Sequence, residues 1–97
     1  MASKATQTTV ADTASTTQLI AANSKRTGLY ITNVSSEILY IRLGSTAATV
    51  TTGHSWVLAA NGGQINLSNF SGRAWKGAVQ GIWANNSTGA ANITELE

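Results

Sequence analysis

The sequence predicts an all-β domain, an antiparallel β-sandwich or a jelly-roll-like small barrel of about seven or eight strands with a flexible N-terminal arm. From Thr16 onward, apolar and polar residues alternate with a period of two, and turns rich in Gly, Asn and Ser separate the alternating segments. Nowhere do apolar residues recur at helical spacing behind a capping residue. The 97 residues are enough for one domain.

The strand pattern is carried by residues 18–23, 28–34, 37–44, 47–52, 54–60, 63–69, 77–84 and 90–96. Only Ser35 and Ser36 separate the second segment from the third, which predicts an antiparallel hairpin. Residues 47–52 are rich in Thr and predict a weak edge strand. Asn61-Gly62 and residues 85–89 (NNSTG) predict two further turns, and Asn-Gly is the dipeptide most typical of two-residue hairpin turns.

Residues 1–16 consist mainly of Ala, Ser, Thr and Gln, and Val10 is their only sizeable aliphatic side chain after Met1. Such a segment buries too little apolar surface to order itself, so we expect a flexible arm over 1–16 and a β-sandwich domain over 17–97. Two interpretations of the arm remain open. It is either a frayed terminus or a segment that becomes ordered along a neighbouring subunit, because Thr-rich sequence takes extended conformations readily.

Charged residues make up only 10% of the chain, against about 25% in ordinary globular proteins. The surface must therefore consist largely of Thr, Ser, Asn and Gly, and such a surface loses its hydration cheaply and suits permanent contact with other protein. The net charge of +2 comes from scattered cations, which argues against a nucleic-acid partner. No apolar run approaches the length of a membrane span, so no membrane partner is expected.

The chain offers little reactive chemistry. It has no cysteine and a single histidine, His54, and its acidic residues are Asp12, Glu37, Glu95 and Glu97. These residues do not have the spacing of a nucleophile–histidine–acid site, a zinc site or a calcium loop. No catalytic, metal-binding or cofactor-binding residue is predicted, and the protein is not expected to be an enzyme.

The aromatic residues are the remaining candidates for binding, and they are Tyr30, Tyr40, Trp56, Phe70, Trp75 and Trp83. Such rings stack on sugars in glycan-binding modules, but they also supply much of the apolar area of a small core, and core or subunit contact is the favoured interpretation.

Trp75 and Trp83 are eight residues apart, which is about 26 Å along a continuous strand at about 3.3 Å per residue. Because that is too long for one strand of so small a domain, we expect a break near Lys76-Gly77. Trp75 then lies on a loop that touches a partner, and Trp83 lies on a strand in or beside the core.

Most of the chain after residue 17 resembles a small β-sandwich module of tailed-phage virion proteins. The resemblance rests on residues 19–45 (LIAANSKRTGLYITNVSSEILYIRLGS), 57–67 (VLAANGGQINL) and 70–97 (FSGRAWKGAVQGIWANNSTGAANITELE). The matching positions are Asn23, Arg26, Gly28 to Asn33, Leu39 to Gly44, Leu58, Gly62, Gly63, Gly77, Val79, Ile82 and Glu95. These motifs are structural and contain no reactive residue. Residues 1–16 lie outside the shared module, and residues 71–76 (SGRAWK) are longer than its usual connection.

The resemblance implies a head decoration (cement) protein, often a trimer, that is made in the host cytoplasm and sits on the outside of the capsid, where it clamps neighbouring copies of the major capsid protein. The contacts expected with the major capsid protein or with other copies of the chain are Thr8, Thr9 and Val10 in the arm and Phe70, Arg73, Trp75 and Lys76 in the loop. The alternatives are a tail or head-fibre component of a virion and a glycan-binding module that uses Trp56, Trp75 or Trp83.

Overall fold

The computed structural model describes residues 4–69 and 72–97, whose regular secondary structure consists of strands. The strands are β1 (Ala5–Ala11), β2 (Thr17–Ile20), β3 (Gly28–Asn33), β4 (Leu39–Leu43), β5 (Trp56–Leu58), β6 (Gly63–Asn66), β7 (Val79–Trp83) and β8 (Ala90–Leu96). The all-β prediction is confirmed, and every predicted segment except 47–52 contains or overlaps one of the strands β2 to β8.

The strands form two antiparallel sheets of four strands each. The strand order is β1-β8-β3-β6 in one sheet, which we call the β3 sheet, and β2-β7-β4-β5 in the other, the β4 sheet. The first strand thus pairs with the last, β2 with β7, β3 with β6 and β4 with β5, as if one long hairpin had been folded over on itself. This is the strand order of a jelly roll, one of the two architectures that the sequence predicts.

The core lies between the two sheets and is built mainly from inward-facing residues of the strands. Its buried members are Leu19, Leu29, Ile31, Leu39, Ile41, Leu58, Leu67, Val79, Trp83, Ala91 and Ile93. Trp83 is fully buried, and its Nε1 donates to Oδ1 of the buried Asn33 at 3.0 Å, so the polar atom of the indole is satisfied inside the core. Trp83 lies in β7 and Trp75 lies before that strand, as the spacing of the two tryptophans predicts.

The predicted hairpin between residues 28–34 and 37–44 is wrong, because β3 and β4 belong to different sheets. Ser35, between them, is buried, and its backbone N–H donates to the side-chain oxygen of Asn33 at 3.2 Å. Asn61 and Gly62 do form a turn, with φ angles of 60° and 120°, but it too leads from one sheet to the other. A period of two identifies the buried face of a strand and leaves its neighbours undetermined, which is why the pairing was not predictable in this way.

Residues 47–52, predicted as an edge strand, lie in the loop between β4 and β5 and form no strand. Thr49 closes this loop locally. Its N–H donates to the carbonyl of Gly53 at 2.8 Å, and its hydroxyl accepts from the N–H of Gly53 at 2.7 Å. Because threonine hydroxyls compete with sheet pairing for backbone groups, a Thr-rich segment is as compatible with such a loop as with a strand.

The N-terminal segment differs from the flexible arm that we expected, because residues 5–11 form β1 and pair along their whole length with β8. The chain after β1 is held by Asp12, which is buried. The carboxylate of Asp12 accepts from the hydroxyl of Ser35 at 2.6 Å and from the N–H groups of Ser87 and Gly89 at 3.0 and 3.2 Å. Backbone pairing and these polar contacts order the segment. The sequence-based expectation considered only its few apolar side chains, and it therefore missed both kinds of contact.

Candidate functional site

The outer face of the β4 sheet carries a line of apolar side chains. Tyr40 lies directly opposite Val57 on one neighbouring strand and opposite Ile82 on the other, so the three side chains share one face of the sheet. Ile38, which precedes β4, is 39% exposed, and Val57 is 49% exposed. We call Ile38, Tyr40, Val57 and Ile82 the apolar stripe. Exposed apolar side chains that adjoin one another in this way are typical of protein contact surfaces.

The apolar stripe arises because residues 38–41 are apolar on both faces, and on the outer face it ends at the charged Arg42. Leu39 and Ile41 are fully buried, whereas Tyr40 between them is partly exposed. Alternation within residues 37–44 already places Ile38 and Tyr40 on the outer face. The sequence did not reveal that Val57 and Ile82 lie beside them, because that follows from the strand register.

The outer face of the β3 sheet is largely polar and uncharged. Its outward polar side chains, which follow from the strand register, are Gln7, Thr9, Tyr30, Thr32, Gln64, Asn66, Asn92 and Thr94. Ala5, Ala11, Ala90 and Leu96 face the same way at the strand ends. Tyr30 is the aromatic residue of this set and is 40% exposed. A groove of about 440 Å³ lies here, lined by Tyr30, Thr32, Gln64, Ile65 and Asn66, and we call it the Tyr30 groove. No local sequence pattern marks this groove, since its lining comes from two strands that are not consecutive in the chain.

One edge of the β3 sheet is formed by β1, which pairs with β8 and with no further strand of the described residues. Every residue of β1 is exposed except Val10, which packs partly against the core, and the strand carries no charge. Proteins commonly protect exposed edges with charged side chains, so this edge is suited to pairing with a strand from another chain. The predicted contacts Thr8, Thr9 and Val10 lie on this β1 edge, where the Thr9 hydroxyl also donates to the Asn92 side chain at 3.0 Å.

The predicted contact loop is fastened to the domain by Arg26, whose side chain is fully buried. The guanidinium donates to the carbonyl oxygens of Trp75, Gly77 and Ala21 at 2.8, 2.9 and 2.6 Å. Its Nε also forms an ion pair with Glu95 at 2.7 Å. One side chain thereby fixes the backbone that precedes β7 and satisfies carbonyl groups that no strand pairing reaches.

The residues of this loop differ in how far they are available to a partner. Trp75 packs against the core and its Nε1 donates to the carbonyl of Ala78 at 3.2 Å, while Lys76 Nζ donates to the carbonyl of Arg26. Both side chains are partly buried, and Arg73 is exposed. Phe70 lies outside the described residues. The role of these residues as partner contacts stays a prediction, and Arg73 is the one that the fold leaves most open.

The ring of His54 lies beside Tyr40, with 5.0 Å between the ring centroids, and His54 Nδ1 is 3.0 Å from the carbonyl of Thr49. Within residues 4–69 and 72–97, no three His, Asp or Glu side chains form a group that could hold a metal ion. The same residues include no helix of the length and hydropathy needed to cross a membrane.

No family model, curated protein or solved structure matches the chain.

Proposed function

We propose that the protein is a non-enzymatic structural component of a tailed-phage virion, a decoration protein that binds the outside of the head and stabilises the contacts between copies of the major capsid protein. The observation that carries this proposal is the apolar stripe on the outer face of the β4 sheet. A protein that binds the assembled shell and not the loose capsid subunits shifts the equilibrium toward the shell by mass action.

The distribution of charge supports a contact of this kind. All four acidic residues of the chain are hydrogen-bonded within it: Asp12 and Glu95 as described, Glu37 to the Asn85 side chain at 3.2 Å and Glu97 to the Asn23 side chain at 2.8 Å. The buried Arg26 and the partly buried Lys76 are likewise engaged with backbone groups. Within the strands, the outer faces of the two sheets carry one charge, that of Arg42 next to the apolar stripe, so covering these faces with another protein removes few charges from water.

The β1 edge supports association between copies of the chain. Its mostly exposed, uncharged strand offers backbone donors and acceptors to a neighbouring strand, and Thr8, Thr9 and Val10 lie within it. We propose that these residues make contacts within a homo-oligomer, for which the resemblance favours a trimer, while the apolar stripe faces the capsid.

The test is co-sedimentation of the purified protein with expanded heads of the encoding phage that lack it. The protein should bind in a copy number comparable with that of the major capsid protein. The variant Val57→Lys should bind at least about tenfold more weakly, because it places an unpaired charge in an apolar contact. Gln64→Lys is the matched control, since Gln64 is also exposed on an edge strand but belongs to the other sheet, and it should bind like the wild-type protein.

Failure of the wild-type protein to sediment with heads would contradict the proposal. An equal loss for Val57→Lys and Gln64→Lys would show that the apolar stripe is not the contact. A few copies per virion, found with the tail rather than the head, would instead support the tail or head-fibre alternative.

A further inference from the structure

We propose that the Tyr30 groove is a binding site for a neutral saccharide. This inference concerns the opposite sheet from the apolar stripe and does not depend on the proposed capsid contact.

The register between β3 and β6 brings the required groups together. Tyr30 lies directly opposite Asn66, and Thr32 lies directly opposite Gln64. Side chains that are directly opposite in an antiparallel pair have Cβ atoms about 4.5–5.5 Å apart. One aromatic ring, one hydroxyl and two amide groups therefore border a single groove.

The polar groups of the groove have hydrogen-bonding capacity that the fold does not use. Asn66 Oδ1 accepts from the backbone N–H of Ser68 at 2.9 Å, and its amide N–H groups have no partner in the described part of the chain. The side chains of Gln64 and Thr32 make no hydrogen bond to the described residues. Amides and hydroxyls that can both donate and accept match the hydroxyl groups of a sugar, whose hydroxyls also do both.

The remaining features of the groove select for a neutral, ring-shaped ligand. The exposed part of the Tyr30 ring provides an apolar surface against which the C–H face of a pyranose can pack. None of the lining residues is charged, so a phosphate or another anion would find no cation there. The volume of about 440 Å³ lies within the range of roughly 300–1,000 Å³ that is usual for small-molecule sites.

The structure also changes which aromatic residue is the candidate for sugar stacking. Trp83 is fully buried and Trp75 is partly buried against the core, so both side chains are less exposed to a ligand than that of Tyr30. Trp56 is 38% exposed but lines no part of this groove. Tyr30 combines exposure with neighbouring amide groups.

The inference is tested by NMR titration of the ¹⁵N-labelled full chain with three uncharged saccharides, maltotriose, lactose and tri-N-acetylchitotriose, and with AMP as an anionic comparison. We expect saturable shifts of the side-chain amide signals of Gln64 and Asn66 with at least one saccharide and none with AMP. Absence of shifts with all three saccharides, or equal shifts with AMP, would overturn the proposal.

Two tyrosine variants provide a matched pair. Tyr30→Ala should weaken saccharide binding at least about tenfold, whereas Tyr40→Ala, a change of the same size on the outer face of the opposite sheet, should leave it unchanged. In the head-binding assay Tyr40→Ala should bind more weakly and Tyr30→Ala should bind like the wild-type protein. Failure of one proposal is therefore distinguishable from failure of the other. Gln64→Ala, on an exposed edge position, should also weaken saccharide binding and serves if Tyr30→Ala does not fold. Unchanged binding in the folded Tyr30 or Gln64 variant would exclude the groove as the site.

Discussion

The two ends of the sandwich are each closed by a buried charged side chain, and the two side chains serve opposite backbone groups. At one end Arg26, which can only donate, binds three carbonyl oxygens. At the other end the ionised form of Asp12, which can only accept, binds the N–H groups of Ser87 and Gly89 and the hydroxyl of Ser35. Arg26 also has a counter-ion in Glu95, whereas Asp12 has no ion pair with any described residue.

This difference shows how a chain with few charges places them. The crossovers of a jelly roll leave the sheets at their ends, where backbone groups lose their strand partners and need others. The carbonyl groups around Arg26 need a donor, and the N–H groups around Asp12 need an acceptor, so the two buried charges have opposite sign. Because these charges lie at the ends, the two outer faces remain available for an apolar contact on one side and a neutral polar one on the other.

The largest effect is expected from Arg26→Ala, which leaves the Glu95 carboxylate and three carbonyl groups without their donor. Removing one partner of a buried ion pair typically costs about 3–5 kcal/mol, and we expect a loss of unfolding free energy in that range. Urea denaturation followed by tryptophan fluorescence measures it, since the fully buried Trp83 becomes exposed on unfolding.

Arg42→Ala is the matched control for this prediction. Arg42 is partly exposed and makes one long hydrogen bond, 3.4 Å, to the carbonyl of Ala47. Its removal should change the unfolding free energy by no more than about 0.5 kcal/mol. Similar losses for the two arginine variants would mean that the Arg26 contacts do not hold the end of the sandwich together.

A smaller loss, about 2–3 kcal/mol, is expected from Asp12→Ala. This change removes the acceptor of the buried Ser35 hydroxyl and of the N–H groups of Ser87 and Gly89, which are less buried, and it leaves no opposite charge without its partner. Hydrogen exchange should show faster exchange of the β1 amides, because Asp12 fixes the chain where β1 ends. Glu37→Ala removes a carboxylate that binds only the exposed Asn85, and it should leave both readouts unchanged. A loss no larger than that of Glu37→Ala would contradict the role of Asp12.

Alternation was sufficient to predict the approximate positions of β2 to β8, because burial of one face imposes a period of two on any strand. The position of Trp83 in the core was predicted from its separation from Trp75. Alternation was insufficient for β1, whose side chains are mostly exposed and which is held by pairing with β8 and by Asp12. Alternation also could not predict the Tyr30 groove, since Tyr30 and Asn66 become neighbours only through the pairing of β3 with β6. The roles of Asp12 and Arg26 depend on backbone groups distant in sequence, for which a single side chain carries no local signal.

The smallest predicted difference concerns one glycine at each end, and neither glycine has the left-handed φ that an added side chain would strain. A Cβ at Gly89, at the Asp12 end, would lie 2.5 Å from the backbone Cα of Ser35. A Cβ at Gly77, at the Arg26 end, would lie 2.6 Å from a ring carbon of Trp75. A side chain shifts more easily than backbone. Gly89→Ala should therefore cost about 1–2 kcal/mol, as overpacking of a filled site does, and Gly77→Ala should cost less.

Thermal unfolding resolves this difference, since 1 kcal/mol corresponds to roughly 4–8 °C in the Tm of a domain of this size. Gly89→Ala should have the lower Tm because Ser35 cannot retreat without disturbing its hydrogen bond to Asp12. The opposite order would mean that the Trp75 ring, held by the core and by Ala78, is the more rigid neighbour. The Arg26 end would then be the better packed of the two, and the loop that carries the exposed Arg73 would be held more rigidly.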